Sequence, residues 1–339
     1  MALETQMSHY RDVLEEDMRT VVHEGRRGER DLFQMLRYHL GWIDAAFEPC
    51  AARSGKLVRP TLCLLWCDGC GEDWTRAVPA ATAIELLHNF SLIHDDIEDR
   101  DEMRRGRPTL WSIWGEAQAI NGGDTLFALA QLALLRLEER GVAPMVVLDA
   151  VRLFNETSVA LTVGQHLDIG FEQDDAVSAE EYLAMIEGKT AALVACACEL
   201  GALVAGASTA QRGHVHSFGL HLGLAFQLVD DVLGIWGDEA VTGKPVGADI
   251  RRRKKTLPMI YGLEQGGELR RLMSRERISD AEVGRVRYLL EDVGSREYTE
   301  ELARVHHEAA LDALAQADLS GAAAAALGEL SGKLLKRRR

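Results

Sequence analysis

The chain has 339 residues and carries 38 Lys and Arg against 53 Asp and Glu, which gives a formal net charge of −15. This negative balance argues against a general nucleic-acid-binding protein, because nothing attracts the whole molecule to a polyanion. A hydrophobic fraction of 47% with 27% charged residues excludes a disordered chain. We see no long apolar run, and the first residues are rich in acids. We therefore expect neither a transmembrane segment nor a signal peptide, and a cytoplasmic protein.

Apolar residues recur at helical spacing along the chain, over 81–98, 143–168, 179–206 and 213–236. Strand-like alternation is nearly absent and there are only 7 prolines, so the sequence predicts an all-α protein. The breaks between these segments are too short and too apolar for an interdomain linker. We therefore expect a single domain over 1–339, in which 259–339 forms C-terminal helices and a basic tail.

Three cysteines near residue 65 need a specific interpretation. Cys63, Cys67 and Cys70 have a C-x3-C-x2-C spacing that can hold an iron–sulfur cluster. The segment TLCLLWC contains no loop, however, and free cysteine commonly serves as a small buried hydrophobe. We interpret the three as side chains of a buried helix.

The first acidic cluster ends the apolar segment 81–98. On a helix, Asp95 and Asp99 project from the same face one turn apart, and His88 lies two turns earlier on that face. Carboxylates placed in this way repel each other, so the helix end requires a compensating cation. Oxygen ligands alone suit Mg²⁺ better than zinc.

The second acidic cluster, Asp230 and Asp231, follows another apolar helical segment. An acidic pair on so apolar a helix is hard to explain by solvation alone. If the two helices lay side by side, their carboxylates would line one cavity above apolar side chains. That arrangement suits a diphosphate bridged by Mg²⁺ with a hydrocarbon tail below it.

Basic residues that suit phosphate binding accompany both clusters despite the acidic total. Each patch alone is typical of a solvated surface, but together with two acidic helix ends they indicate an anion-binding site. The patches contain Lys56, Arg59, Arg104, Arg105, Lys189, Lys244 and Lys254.

The motifs over residues 54–258 resemble those of the trans-isoprenyl diphosphate synthase, or polyprenyl synthetase, family. The matching pieces occur in family order: GKLVRP, LLHNFSLIHDDIEDRDEMRRGRPT, GQHLD, EGKTA, FQLVDDVLG and TGKPVGADIRRRKKTLP. The resemblance implies a helical bundle around a deep cavity, a homodimer, and three Mg²⁺ ions. It also implies head-to-tail condensation of isopentenyl diphosphate with an allylic diphosphate.

The resemblance assigns a role to each matching residue. Metal binding falls to Asp95, Asp96, Asp99, Asp168, Asp230 and Asp231, and isopentenyl diphosphate binding to Lys56, Arg59, His88 and Arg105. Contact with the allylic diphosphate falls to Arg104, Lys189, Lys244, Lys254 and Gln165, and the carbocation region to Thr190, Gln165 and Gln227. Such a reaction needs no protein nucleophile, because the allylic cation forms when diphosphate departs.

One position departs from the family pattern, and one region bears on product length. Gly234 stands where the second motif commonly ends in Asp, and Asp238 is a candidate to replace that carboxylate in part. Phe90 and Ser91, five and four residues before the first Asp, help form the cavity floor in the family. A ring followed by a small residue is compatible with a C15 or C20 product and argues against very long chains. We expect geranylgeranyl diphosphate, with farnesyl diphosphate as the alternative.

Two other classes remain open. A class I terpene cyclase also ionises an allylic diphosphate, but it has no second diphosphate to hold and its usual second metal motif is not evident here. A non-catalytic partner subunit would typically have lost its acidic clusters. Product from a single allylic diphosphate would indicate the cyclase, and an unchanged Asp95→Ala variant would contradict the metal site.

Overall fold

The computed structural model describes residues 3–24, 26, 29–50, 55–172, 174, 176–238, 246–275 and 278–335. Its helices in the N-terminal half are α1 (Leu3–Val21), α2 (Arg30–His39), α3 (Val58–Gly69), α4 (Val78–Glu98), α5 (Leu110–Trp114), α6 (Glu116–Leu135) and α7 (Pro144–Phe171). Short 3-10 turns cover Trp74–Ala77 and Glu138–Arg140. The predicted segments 81–98 and 143–168 correspond to α4 and α7.

The C-terminal half is helical as well. Its helices are α8 (Ala179–Ile186), α9 (Ala192–Val204), α10 (Thr209–Trp236), α11 (Ala248–Arg251), α12 (Leu257–Glu264), α13 (Gly267–Met273), α14 (Asp280–Asp292), α15 (Ser295–Gln316) and α16 (Ala323–Leu335). A π-helical turn, Glu187–Ala191, separates α8 from α9. The all-α prediction is confirmed.

Among the described residues, the sheet is confined to one small hairpin. Strand β1 (Met103–Arg104) pairs antiparallel with β2 (Arg107–Pro108). The two residues of its turn, Arg105 and Gly106, both have positive φ, at 52° and 75°. Two positive φ angles in succession match the right-handed twist of a tight hairpin. The hairpin therefore presents Arg104 and Arg105 directly after the first acidic cluster.

The described chain forms two compact units. Unit 1 contains residues 1–155, 197–212 and 319–323, and unit 2 contains 156–196, 213–318 and 324–339. The single domain expected from the short breaks stays a prediction.

Unit 1 is built on α4, which is buried along most of its length. Ile84, Leu86 and Leu87 are fully buried, and α4 packs against α3 and α6. On α3, Cys63 and Cys67 are also fully buried and all three cysteines of the motif are free thiols. This placement fits the interpretation of Cys63 and Cys67 as side chains of a buried helix, whereas Cys70 follows the end of α3 and is half-buried.

Unit 2 is organised around α10. Leu228 and Val229 pack in one core cluster with Tyr182 and Met185 of α8 and with Ile260 of α12. By length and composition α10 passes for a membrane span, yet 61% of the qualifying window is buried inside the protein. A mostly buried helix of this kind serves as the core of unit 2, and it carries the second acidic cluster.

Candidate active site

The first acidic cluster lies where α4 ends. The backbone N–H of Asp99 donates to the carbonyl of Asp95 at 2.8 Å, which places the two carboxylates one turn apart. Arg100 follows with a left-handed φ of 54° and ends the helix. Because a helix C-terminus carries partial negative charge, carboxylates there are destabilised unless a cation binds them. The backbone therefore places Asp95 and Asp99 on one face of α4, as the sequence predicts.

Asp96 has a different environment from its two neighbours. Its side chain is 2% exposed, and Arg104 donates from Nε to its Oδ1 at 2.6 Å. Burial raises the pKa of Asp96 to about 6, while the charge of Arg104 works in the opposite direction. The bond through Nε leaves the two Nη groups of Arg104 for other partners. Asp96 thus positions a phosphate-binding candidate.

A cationic cluster, defined by Arg59, His88 and Arg105, lies beside this helix end. Arg59 Nη1 is 3.3 Å from His88 Nε2. Burial lowers the pKa of His88 well below its usual value, and the charges of Arg59 and Arg105 lower it further. His88 is therefore neutral, so Nε2 can accept the Arg59 hydrogen bond. Lys56, the fourth predicted residue, is exposed two residues before α3.

A buried carboxylate balances this cluster and was not identified from the sequence. Glu85 is 5% exposed and accepts a 3.0 Å hydrogen bond from Asn89 Nδ2. Burial raises its pKa, whereas the charges of Arg59 and Arg105 act to lower it. The sequence signal that could have identified Glu85 is a charged residue one turn before His88 in an otherwise apolar stretch, because such a residue is costly to bury unless it is paired.

His39, at the end of α2, is a second residue that the sequence did not reveal, and it is half-buried. Burial lowers its pKa to about 3, and the charges of Arg104 and Arg105 contribute to the shift. The imidazole is neutral at physiological pH. It adds a polar group beside the two arginines without adding positive charge.

The second acidic cluster divides its two members between exposure and burial. Asp230 is exposed, whereas Asp231 is 2% exposed. Asp231 accepts hydrogen bonds from Gln227 Nε2 at 3.0 Å, from the Tyr182 hydroxyl and from the Leu257 backbone N–H at 3.4 Å. Burial raises its pKa to about 7, and the hydrogen bonds from Tyr182 and Gln227 oppose that shift. Asp230 is therefore the member open to a metal, and Asp231 organises the surrounding donors.

A hydrogen-bond chain connects the predicted carbocation residues to Asp231. Thr190 Oγ1 donates to Gln227 Oε1 at 2.9 Å, and Gln227 in turn donates to Asp231. Because Thr190 gives its proton to Gln227, the lone pairs of its oxygen remain for another partner. Such a hydroxyl oxygen can stabilise positive charge. Tyr182 completes the chain and was not predicted.

The π-helical turn positions Lys189. Its Nζ lies 2.5 Å from Asp168 Oδ2 on α7, and both side chains are mostly buried. A Cβ on Gly164 would lie 2.2 Å from the backbone nitrogen of Lys189, and one on Gly188 would lie 2.7 Å from the Ala160 carbonyl. The two glycines therefore let α7 and the turn touch backbone to backbone. Wider π turns recur at functional sites.

The remaining predicted residues fall at separate positions. Gln165 is half-buried on α7, and Lys254 is half-buried and near enough to lower the pKa of Asp231. Lys244 lies outside the described residues. Asp238 is exposed after the end of α10.

The floor candidates lie on α4, four and five residues before Asp95. The ring of Phe90 packs against Phe127 of α6, with centroids 5.2 Å apart, and against His94 at 4.7 Å. Ser91 Oγ donates to the His88 carbonyl at 2.9 Å. Phe90 and Phe127 therefore form an aromatic pair within unit 1.

The donor chemistry of both clusters fits Mg²⁺. Asp95, Asp99 and Asp230 supply oxygen ligands, which magnesium prefers. Across the described ranges, no three His, Cys, Asp or Glu side chains converge as a ready-made metal cage. Magnesium usually takes one or two carboxylates and completes its shell with water and substrate phosphates, so an incomplete set of protein ligands suits it.

Comparison with known proteins agrees with this geometry. Residues 41–293 match the model of the polyprenyl synthetase family. A (2E,6E)-farnesyl diphosphate synthase of Mycobacterium tuberculosis is 41% identical over 311 residues, which cover 89% of this chain and 85% of that protein. A geranylgeranyl diphosphate synthase of the same organism is 46% identical over 253 residues, covering 74% and 71%. The crystal structure of a polyprenyl synthetase from Streptomyces coelicolor superposes with a TM-score of 0.90 at 38% identity, covering 98% and 99%.

Proposed function

Because this chain belongs to the polyprenyl synthetase family, we propose that it is a Mg²⁺-dependent prenyltransferase. It joins isopentenyl diphosphate head-to-tail to an allylic diphosphate and makes a short all-trans prenyl diphosphate. The observation that carries this proposal is the end of α4, where Asp95 and Asp99 lie one turn apart and the cationic cluster of Arg59, His88 and Arg105 adjoins them.

The allylic diphosphate would be held by cationic side chains and by metal bound to the motif carboxylates. Mg²⁺, for which we propose three ions, would supply positive charge to offset the charge of the departing diphosphate. Asp95 and Asp99 of α4 and Asp230 of α10 are the proposed metal ligands, and Arg104, Lys189 and Lys254 are the proposed ligands of the phosphate oxygens. We place Lys244 in the same role from its motif.

The cationic cluster is assigned to isopentenyl diphosphate. Arg59 and Arg105 supply charge for its diphosphate, and Lys56 is exposed three residues before Arg59. Buried Glu85 holds the two arginines in place by offsetting their mutual repulsion. A second diphosphate-binding cluster is what a condensation requires and a cyclase does not.

The carbocation is stabilised by fixed dipoles, and no protein nucleophile is required. The lone pairs of the Thr190 hydroxyl oxygen are available to the carbocation because the hydroxyl donates its proton to Gln227. Gln227 is itself fixed by Asp231. Preorganised groups of this kind stabilise charge without reorganising during the reaction.

For product length we propose geranylgeranyl diphosphate, with farnesyl diphosphate as the alternative. Relatives that carry both names match this chain. The paired rings of Phe90 and Phe127 support a short product, because a growing tail must stop where it meets them.

We also propose that the protein is a cytoplasmic homodimer. Leu132 and Leu135 of α6 are 58% and 50% exposed, and Met145 and Leu148 near the start of α7 are 67% and 55% exposed. Large exposed apolar side chains of this kind mark association surfaces. Light scattering during size-exclusion chromatography tests the dimer, and a monomeric mass would contradict it.

Product analysis tests the proposed function. Purified protein with Mg²⁺ and isopentenyl diphosphate is offered dimethylallyl, geranyl or farnesyl diphosphate separately, and the extracted products are sized. We expect a linear geranylgeranyl chain from all three starters. A stop at farnesyl would place the floor higher, a cyclic product from one allylic diphosphate alone would indicate a cyclase, and no product would contradict the enzyme assignment.

A further inference from the structure

The second acidic cluster lacks the carboxylate that commonly ends it, because Gly234 stands at that position. Gly234 lies four residues after Asp230 on α10, so both positions face the same side of the helix. A side chain there would project beside Asp230. Glycine leaves that space to a neighbouring side chain.

The carboxylate of Asp249 occupies that space. A Cβ built on Gly234 would lie 1.9 Å from Asp249 Oδ2 and 2.6 Å from its carboxyl carbon. No Cβ fits at such distances, so position 234 must remain glycine while Asp249 keeps its conformation. The charge of Asp249 is also near enough to act on buried Asp231 and on Tyr182.

The backbone of α11 fixes Asp249 in this position. Gly247 precedes the helix with a left-handed φ of 71°, and a Cβ there would lie 2.6 Å from Val283. Ile250 is fully buried in one core cluster with Ile235 and Val283. The backbone N–H of Lys254 closes the turn on the Asp249 carbonyl at 2.9 Å. Residues on both sides of Asp249 are therefore anchored, and its carboxylate is held at α10.

We propose that Asp249 supplies the carboxylate that Gly234 cannot, so that the second acidic cluster is assembled from α10 and α11. This inference rests on the proposed function, because it concerns the metal that Asp230 would hold. Asp249 acts as a positioning residue that orients the metal or its water ligands. Outer partners of this kind typically change metal affinity about 10- to 100-fold when removed.

Binding of Mg²⁺ in the presence of inorganic diphosphate, measured by calorimetry, tests the inference without turnover. We expect Asp249→Asn to weaken Mg²⁺ binding about 10-fold or more. Asp238→Asn is the matched control, since it also removes one acid near the end of α10. Asp238 is the residue that the sequence suggested as a replacement for the missing carboxylate. We expect Asp238→Asn to bind Mg²⁺ as the wild type does. Equal affinities for Asp249→Asn and the wild type would overturn the inference, as would a loss confined to Asp238→Asn.

Moving the carboxylate from position 249 to position 234 tests the same inference in a variant that keeps one carboxylate at the site. Gly234→Asp alone should lower the melting temperature, because the new side chain collides with Asp249. Gly234→Asp combined with Asp249→Ala should regain the melting temperature and bring Mg²⁺ affinity to within about 3-fold of wild type, as expected for coupled neighbours. A double variant no better than Asp249→Ala would overturn the inference. A wild-type protein that binds no Mg²⁺ with diphosphate would contradict the proposed function itself.

Discussion

Buried polar side chains, rather than the motif acids alone, shape the site at the scale of single residues. Asp230 and Asp231 are neighbours in sequence, yet one is exposed and the other is enclosed by three donors. Glu85 is buried and His39 is half-buried, and the charges of the neighbouring arginines act on both. Each such group is costly to bury unless it is paired, so its presence indicates a positioning role.

The pKa of His39 predicts a pH dependence of stability. Its folded-state value of about 3 lies below the ordinary value of 6.5. The unfolded chain therefore binds a proton that the folded protein does not, and stability is lost as the pH falls below 6.5. The loss from this residue should be about 2 kcal/mol between pH 6.5 and pH 5.

Denaturant unfolding of the wild type and of His39→Gln at several pH values measures this contribution. Below pH 6.5 the free energy of unfolding should fall more steeply in the wild type, by about 1.4 kcal/mol per pH unit. Asp96 and Asp231 titrate in the opposite direction, but both are present in the two proteins and cancel in the comparison. Parallel curves would show that folding does not lower the pKa of His39.

At the scale of elements, the contact between α7 and the π-helical turn determines where Lys189 and Thr190 lie. Gly164→Ala should destabilise the protein by about 1–3 kcal/mol, since its Cβ has no room against the Lys189 backbone. It should also lower kcat, because both side chains shift with the turn.

Gly170→Ala is the matched control on the same helix. A Cβ there would meet nothing within 4 Å, so this change should be neutral or stabilise by up to about 1 kcal/mol through helix propensity. Melting curves and steady-state kinetics of both variants check the prediction. Equal behaviour of the two variants would show that the backbone contact is unimportant.

The contact between α4 and α6 predicts control of product length. Phe90→Ala should lengthen the main product by at least one isoprene unit, because it removes one ring of the pair that we propose as the floor. Phe127→Ala should do so through the other ring. Gln118→Ala, an exposed position on the same α6, is the control and should keep the wild-type product. Mass spectrometry of the extracted products decides, and unchanged lengths in both Phe variants would place the floor elsewhere.

The elements that were predictable from sequence are those with long apolar periodicity. Segments 81–98, 143–168 and 213–236 became α4, α7 and α10 with shifts of a few residues at their ends. Segment 179–206 also became helical, but the π turn at Glu187–Ala191 interrupts it. Periodicity does not reveal that interruption, because it arises from close packing against Gly164. The sequence did not predict the hairpin of β1 and β2, because each strand has only 2 residues.

At the scale of the whole molecule, an acidic chain concentrates its cations where anions are to bind. The net charge is −15, yet Arg59, Arg104 and Arg105 gather around buried carboxylates in unit 1. The motif order predicted which residues carry charge and chemistry. It did not predict their buried partners or the position of Asp249, because those depend on packing between segments distant in sequence.

The release of inorganic diphosphate in reactions that contain Mg²⁺, isopentenyl diphosphate and an allylic diphosphate tests the central claim most directly. The comparison is between Asp95→Asn, Asp99→Asn and the exposed neighbour Glu98→Gln. We expect each Asp variant to lose at least about 100-fold in kcat/KM, because a direct metal ligand should matter at least as much as an outer one. Glu98→Gln should stay within about 3-fold of the wild type. Wild-type rates in both Asp variants would contradict the account.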